Sequence, residues 1–189
     1  MRSFRSILFL LPVLGLLSGP AQAASVSEID EFVRAQMEAR HVPGLSLAVV
    51  KAGQVQLAKG YGMANLELSV PATEQTVYQL ASVTKQFTAT AAMMLVEEGK
   101  LSLDRRVTEL LDGLPQSWSN VTVRHLLNHT SGIKSYTSVP DFFKSARKDF
   151  EKEEIIALVA DTPLEFPPGE KWNYNNTGYF LLGMVIEKA

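Results

Sequence analysis

A serine and a lysine three residues apart can carry out acyl chemistry when a helix holds them on one face. Ser82 and Lys85 stand this way in QLASVTKQFTA, residues 79–89, where an apolar helix begins. Burying a lysine is costly unless something uses its charge or lowers it. Positions i and i+3 are neighbours on a helix surface, so the Lys85 amine can reach the Ser82 hydroxyl. The free N–H groups and positive dipole end of a helix start favour a negative charge developing there. A desolvated lysine would then serve as a base toward the serine. The other reading is that Ser82 caps the helix and Lys85 lies on the surface.

The S-x-x-K pattern is weak alone, because the chain contains it three times, at Ser82/Lys85, Ser131/Lys134 and Ser145/Lys148. Context separates them. Ser145 lies in the charged run KSARKD, and Ser131 precedes Gly132 in a turn, so only Ser82 has a helix to fix its lysine. A second set of groups is Tyr174-Asn175-Asn176, the one Y-x-N in the chain, in a loop after Pro167-Pro168-Gly169. A phenol relays protons once neighbouring cations lower its pKa, and an asparagine can hold a substrate amide or the lysine amine. Packing and turn formation are the plainer roles for these three residues.

His125 and His129 have the i, i+4 spacing of a zinc helix, but residue 126 is leucine where a metalloprotease needs glutamate. No third ligand stands out. The histidines are expected to be structural, and neither the S-x-x-K nor the Y-x-N set asks for a metal or cofactor.

Positioning these groups requires a fold, and the sequence outlines its order. Val26 to Arg40 is an amphipathic helix with Ile29, Val33 and Met37 on one face and Phe32 beside them. Leu45 to Lys51 and Gln54 to Tyr61 form a hairpin turning at Ala52-Gly53. The next helix presents Val83, Phe87, Thr90, Ala91, Met94 and Leu95 at steps of three and four, and Gly99 stops it. A short helix follows in 104–114, Thr122 caps another over 123–128, and helices are expected at 153–160 and 177–188. A lone hairpin is marginal in water, so further strands are expected beyond Ala189.

The first 23 residues read as a cleaved secretory signal. Arg2 and Arg5 precede the apolar run Ile7 to Leu17, and Ala21-Gln22-Ala23 suits the cleavage site. The apolar run is too short to span a bilayer, so no stable membrane anchor is expected. Cleavage removes two arginines and no acid, taking the net charge from −2 to −4. With no basic run, nucleic acid and anionic membrane are poor partners. The chain has no cysteine, which excludes disulfides and thiolate chemistry. A periplasmic or secreted address is the expectation, with 24–189 forming the N-terminal part of a larger domain.

Taken together, these stretches resemble the serine β-lactamase and penicillin-binding-protein superfamily, in its class C β-lactamase, D-alanyl-D-alanine carboxypeptidase and esterase branch. The likeness rests on the hairpin 45–62, Ala81 to Thr88, Val123-Arg124-His125-Leu126-Leu127-Asn128-His129-Thr130-Ser131-Gly132, and Pro168-Gly169 through Tyr179, in the family's order. It implies an α/β fold of the α+β type, an antiparallel sheet flanked by helices with a helical lobe. It implies Ser82 as the acylated nucleophile, Lys85 as its proton-handling partner, Tyr174 as general acid/base, and Asn176 as a contact to substrate and Lys85. The H-T-S-G segment is expected to pack the helical lobe. The family's third motif, K-T-G or H-x-G, is absent from these 189 residues. The substrate would be a small molecule or peptide with an amide or ester carbonyl, and a segment beyond Ala189 is the expected partner completing the site. A non-catalytic cell-wall-peptide or penicillin-binding module, or an inactive fragment, is the alternative.

Overall fold

The computed structural model describes residues 24–145 and 147–189. The expected signal segment lies outside them. The chain divides after Tyr78 into two compact units.

The first unit holds one helix and a three-stranded sheet. Helix α1 (Val26–Arg40) starts at Ser25 with a reciprocal cap: the Ser25 hydroxyl accepts from Glu28 N–H, and the Glu28 carboxylate accepts from Ser25 N–H. Val33 is its buried residue, whereas Phe32 is 65% exposed. Asp30 ties α1 to the sheet, accepting from Lys59 Nζ and Tyr61 Oη, both at 2.6 Å.

Strands β1 (Gly44–Lys51) and β2 (Gln54–Asn65) pair antiparallel from Gly44↔Gly62 to Lys51↔Gln54. Ala52 (φ 49°) and Gly53 (φ 74°) make the tight turn, both in the left-handed region that a two-residue hairpin requires. β2 runs four residues past the expected Tyr61. Its extension pairs with β3 (Val70–Pro71), a strand too short to show in the sequence.

The second unit is helical. It comprises α2 (Thr84–Glu97), α3 (Val107–Leu110), α4 (Val123–Leu127), α5 (Lys152–Ala160) and α6 (Asn176–Lys188), with single 3-10 turns between several of them. One core joins them: Trp118, Val121, Val123 and Leu126 meet Leu181, Leu182 and Val185 of α6, all nearly inaccessible to solvent. Fully burying each such aliphatic side chain contributes roughly 1.5–3 kcal/mol. Both α2 and α4 pack on α6, which sets the start of α2 near the start of α6.

Two expectations about α2 need correction. Ser82 does not lie in the α-helix; it sits in the 3-10 turn Ala81–Val83 that leads into it. The stripe through Val83, Phe87 and Met94 is also not the buried face, since these are 52%, 61% and 55% exposed. Of the expected stripe, Ala91 is half-buried and Leu95 packs on the core, beside Val96 and the buried Ala92, which the stripe did not include. Apolar and polar residues alternate around α2, with Thr84, Lys85, Gln86, Thr88 and Thr90 set among its apolar positions, so its 3.6-residue period alone does not select a face.

Candidate active site

Ser82 is presented by an unusual backbone. Ala81 has φ 45°, a left-handed conformation that costs a non-glycine residue about 1–2 kcal/mol and swings the chain into the 3-10 turn. Such strain recurs at functional positions. One helical step further, Lys85 is half-buried at the first turn of α2. Its Nζ lies 3.4 Å from Ser82 Oγ and donates to Asn176 Oδ1 at 2.7 Å. Ser82 Oγ in turn lies 2.7 Å from Tyr174 Oη. The structure therefore brings together all four residues singled out by the sequence, across 91 or 92 positions of chain.

The electrostatics follow from this arrangement. Lys85 Nζ sits 4.9 Å from the centre of the Tyr174 ring and 5.5 Å from that of Tyr179. Lys85 first, then the Ser82 hydroxyl, hold the Tyr174 phenol below its ordinary pKa. Burial pushes Tyr179 and Tyr136 the other way. Tyr174 is thus set apart among the nearby phenols: its anion is the favoured one, and it is in contact with Ser82 Oγ.

The loop that carries Tyr174 is held at both ends. Asn175 caps α6, its Oδ1 accepting from Gly178 N–H at 2.6 Å while its Nδ2 donates to the Ile133 carbonyl. Asn176 Nδ2 donates to Thr137 Oγ1 at 2.9 Å, which turns its Oδ1 toward Lys85. The H-T-S-G turn supplies the other wall. Glu165 N–H donates to the Gly132 carbonyl, Gly169 N–H to that of Thr130, and Asn173 N–H to that of His129. Gly132 (φ 72°) is required here, because a Cβ would lie 2.0 Å from the Phe166 carbonyl oxygen. The turn packs as expected, but what it packs is the Tyr174 loop.

The other S-x-x-K serines are placed differently. Ser131 is buried and its Oγ accepts from Ile133 N–H, a local turn bond. Ser145 Oγ donates to the Phe142 carbonyl, and Lys148 pairs with Glu154. His125 and His129 both have Nδ1 engaged, accepting from Thr122 N–H and Asn175 N–H respectively. His129, Thr137 and Asn175 were not singled out as site residues by the sequence. Each acts through a backbone or hydroxyl partner some 40 positions away, which residue spacing does not reveal.

A family model described as Beta-lactamase matches residues 29–189. The chain belongs to the beta-lactamase family. Among curated relatives of this beta-lactamase-family protein is Protein flp of Staphylococcus aureus strain COL, 33% identical over 169 residues, 87% of this chain and 34% of flp. Among solved structures, the octameric penicillin-binding protein homologue from Pyrococcus abyssi superposes with TM-score 0.74 at 41% identity, covering 87% of this chain and 39% of that one. The D-amino acid amidase from Ochrobactrum anthropi SV3, complexed with L-phenylalanine, gives TM-score 0.73 at 31% identity, covering 85% and 44%. This member of the beta-lactamase family therefore spans between a third and a half of the length of these relatives. The superfamily and its mixed fold agree with the resemblance read from the sequence.

Proposed function

We propose that this protein is an exported serine hydrolase that forms an acyl-enzyme at Ser82 on an amide or ester carbonyl. The observation that carries the reading is the 2.7 Å contact between Ser82 Oγ and a Tyr174 phenol whose pKa is lowered by Lys85. In this reading, Tyr174 as phenolate takes the Ser82 proton while Oγ bonds to the carbonyl carbon. The tetrahedral adduct then collapses, the carbonyl-to-leaving-group bond breaks, and Tyr174 returns the proton to the departing nitrogen or oxygen. Water, deprotonated by the same phenolate, releases the acid and restores Ser82. Lys85 steadies the phenolate and is itself oriented by Asn176.

The substrate class proposed is a β-lactam, a D-Ala-D-Ala-type peptide, a D-amino acid amide or a short ester. Support comes from the penicillin-binding homologue and the D-amino acid amidase among the solved neighbours. Export would follow cleavage near Ala23, giving a periplasmic or secreted protein. No helix among the described residues is long and apolar enough to cross a membrane.

The test is covalent labelling of the protein, expressed in full from its gene, with a fluorophosphonate and a penicillin probe. Mass spectrometry should place the adduct on Ser82. A protein that binds the penicillin reversibly but takes up neither label would instead be a binding module.

A further inference from the structure

The H-T-S-G histidine is the group that the proposed chemistry does not use, yet it touches the loop on which that chemistry depends. His129 Nδ1 accepts the Asn175 N–H at 3.1 Å, and its carbonyl accepts the Asn173 N–H at 2.9 Å. One residue thus binds the chain on both sides of Tyr174. Its ring lies 4.8 Å from that of Tyr174, tilted by 36°, and 5.0 Å from that of Tyr179. Trp172 closes the outer side edge-on at 6.1 Å.

We propose that His129 is a positioning residue for the Tyr174 phenol, latching its loop through a neutral imidazole that accepts the Asn175 N–H. The proposal rests on the hydrolase reading and adds a further residue and a pH sensitivity to it.

An Nδ1 lone pair exists only when that nitrogen is unprotonated, so the latch requires the neutral Nε2–H tautomer. Protonation would set one N–H against another and leave the Asn175 amide, in a buried residue, without its acceptor. The titratable and charged groups facing the ring are Lys85 from α2, Tyr174 from the loop and Tyr179 from α6. Of these, Lys85 is the one that disfavours a second positive charge on the ring. Burial first, and then Lys85, lower the His129 pKa, which keeps the latch closed to more acidic pH than a free imidazole would. When it opens, Tyr174 loses its place beside Ser82 and Asn176 its place beside Lys85.

Two substitutions separate the parts of this role. His129→Asn retains an acceptor near the Nδ1 position without a titrating ring, and asparagine suits the left-handed φ of 59° found here. His129→Phe retains the aromatic support without the acceptor. Nuclear magnetic resonance of the protein expressed in full from its gene, with labelled histidine, tyrosine and backbone nitrogen, follows the latch without needing turnover. In the wild type, the Asn175 amide and the Tyr174 ring carbon should shift with the same midpoint as the His129 ring. In His129→Asn that shared titration should vanish, while fluorophosphonate labelling of Ser82 stays within about tenfold of wild type. His129→Phe should slow labelling by ~10–100-fold, the usual effect of a displaced reacting group.

Asn175 and Tyr174 resonances that ignore the His129 titration would overturn the latch, as would wild-type labelling by His129→Phe. If His129→Phe does not fold, the wild-type and His129→Asn titrations decide alone. A wild type that titrates as stated but takes no label would sink the hydrolase reading and leave the latch standing.

Discussion

Lys85 gives its short hydrogen bond to Asn176, at 2.7 Å, and stands farther from Ser82, at 3.4 Å. The hydroxyl has its close partner in the Tyr174 phenol instead. In the proposed hydrolase, this ordering would give the first proton transfer to Tyr174 and an electrostatic role to Lys85. Tyr174→Phe should therefore cut the turnover of a nitrophenyl ester by ~10²–10⁴, the usual worth of an acid–base group. Full turnover in Tyr174→Phe would reduce the tyrosine to packing.

A neutral replacement of the lysine should leave a different mark. Lys85 is the leading cause of the lowered Tyr174 pKa, so Lys85→Met lets it rise back toward the ordinary phenol value. At a given pH the phenolate fraction then falls, and the acid limb of the acylation rate moves to higher pH. A pH profile of Ser82 labelling measures this shift, and an unmoved limb would argue that Tyr174 is not the base.

Ser82→Ala should abolish labelling, whereas Ser131→Ala and Ser145→Ala should not. Ser131 is buried in a local turn bond, so its loss should appear in stability, by about 1 kcal/mol, rather than in chemistry. Peptide mapping of the labelled protein and a urea titration distinguish the two effects. A label that survives Ser82→Ala would overturn the assignment of the nucleophile.

Gly132→Ala should destabilise the helical unit by roughly 2–4 kcal/mol, combining a left-handed alanine with an overpacked contact. The added Cβ would meet the Phe166 carbonyl oxygen at 2.0 Å, and neither backbone can yield without moving the Tyr174 loop. A urea midpoint unchanged from wild type would show that the turn and the loop are not clamped as described.

Stability should fall on mild acidification. His125 and His129 both have folded-state pKa values lowered from 6.5, in each case by burial first. As pH drops through 6.5 the unfolded chain takes up protons that the folded chain refuses, so folding loses free energy until the lowered values are passed. His125→Gln keeps an acceptor for the Thr122 N–H, in the usual capping-box manner, and removes one of the two groups. As pH falls below 6.5, its stability should depend less steeply on pH than that of the wild type. Equal slopes in urea titrations across that window would refute the contribution of His125.

The four residues singled out by the sequence could be read because each sits in a short run with its own local logic: a serine and lysine at helical spacing, a tyrosine and asparagine after a rigid loop. What could not be read depended on distant partners. His129 drew attention for a metal spacing, while its actual contacts are the backbone around Tyr174 and three aromatic rings. The buried side of α2 does not show in the sequence because alanine, the residue that packs deepest at Ala92, contributes little to a hydrophobic stripe. β3 is two residues long and forms only because β2 runs on to meet it.

Asn175 ties the turn 129–133 to the start of α6. Its amide side chain joins Ile133 to the first turn of α6, and its backbone N–H meets His129. The phenol of Tyr174 and the amide of Asn176 are its immediate neighbours in sequence. Asn175 thus couples the two groups, while Asn176 keeps bonds of its own, its N–H to Ser135 Oγ and its Nδ2 to Thr137 Oγ1. In hydrogen exchange, the amides of Asn173, Asn175 and Gly178 should open together as a single cooperative unit. The phenol and the amide would then share one anchor in Asn175, so loosening that single residue would reach both sides of the site.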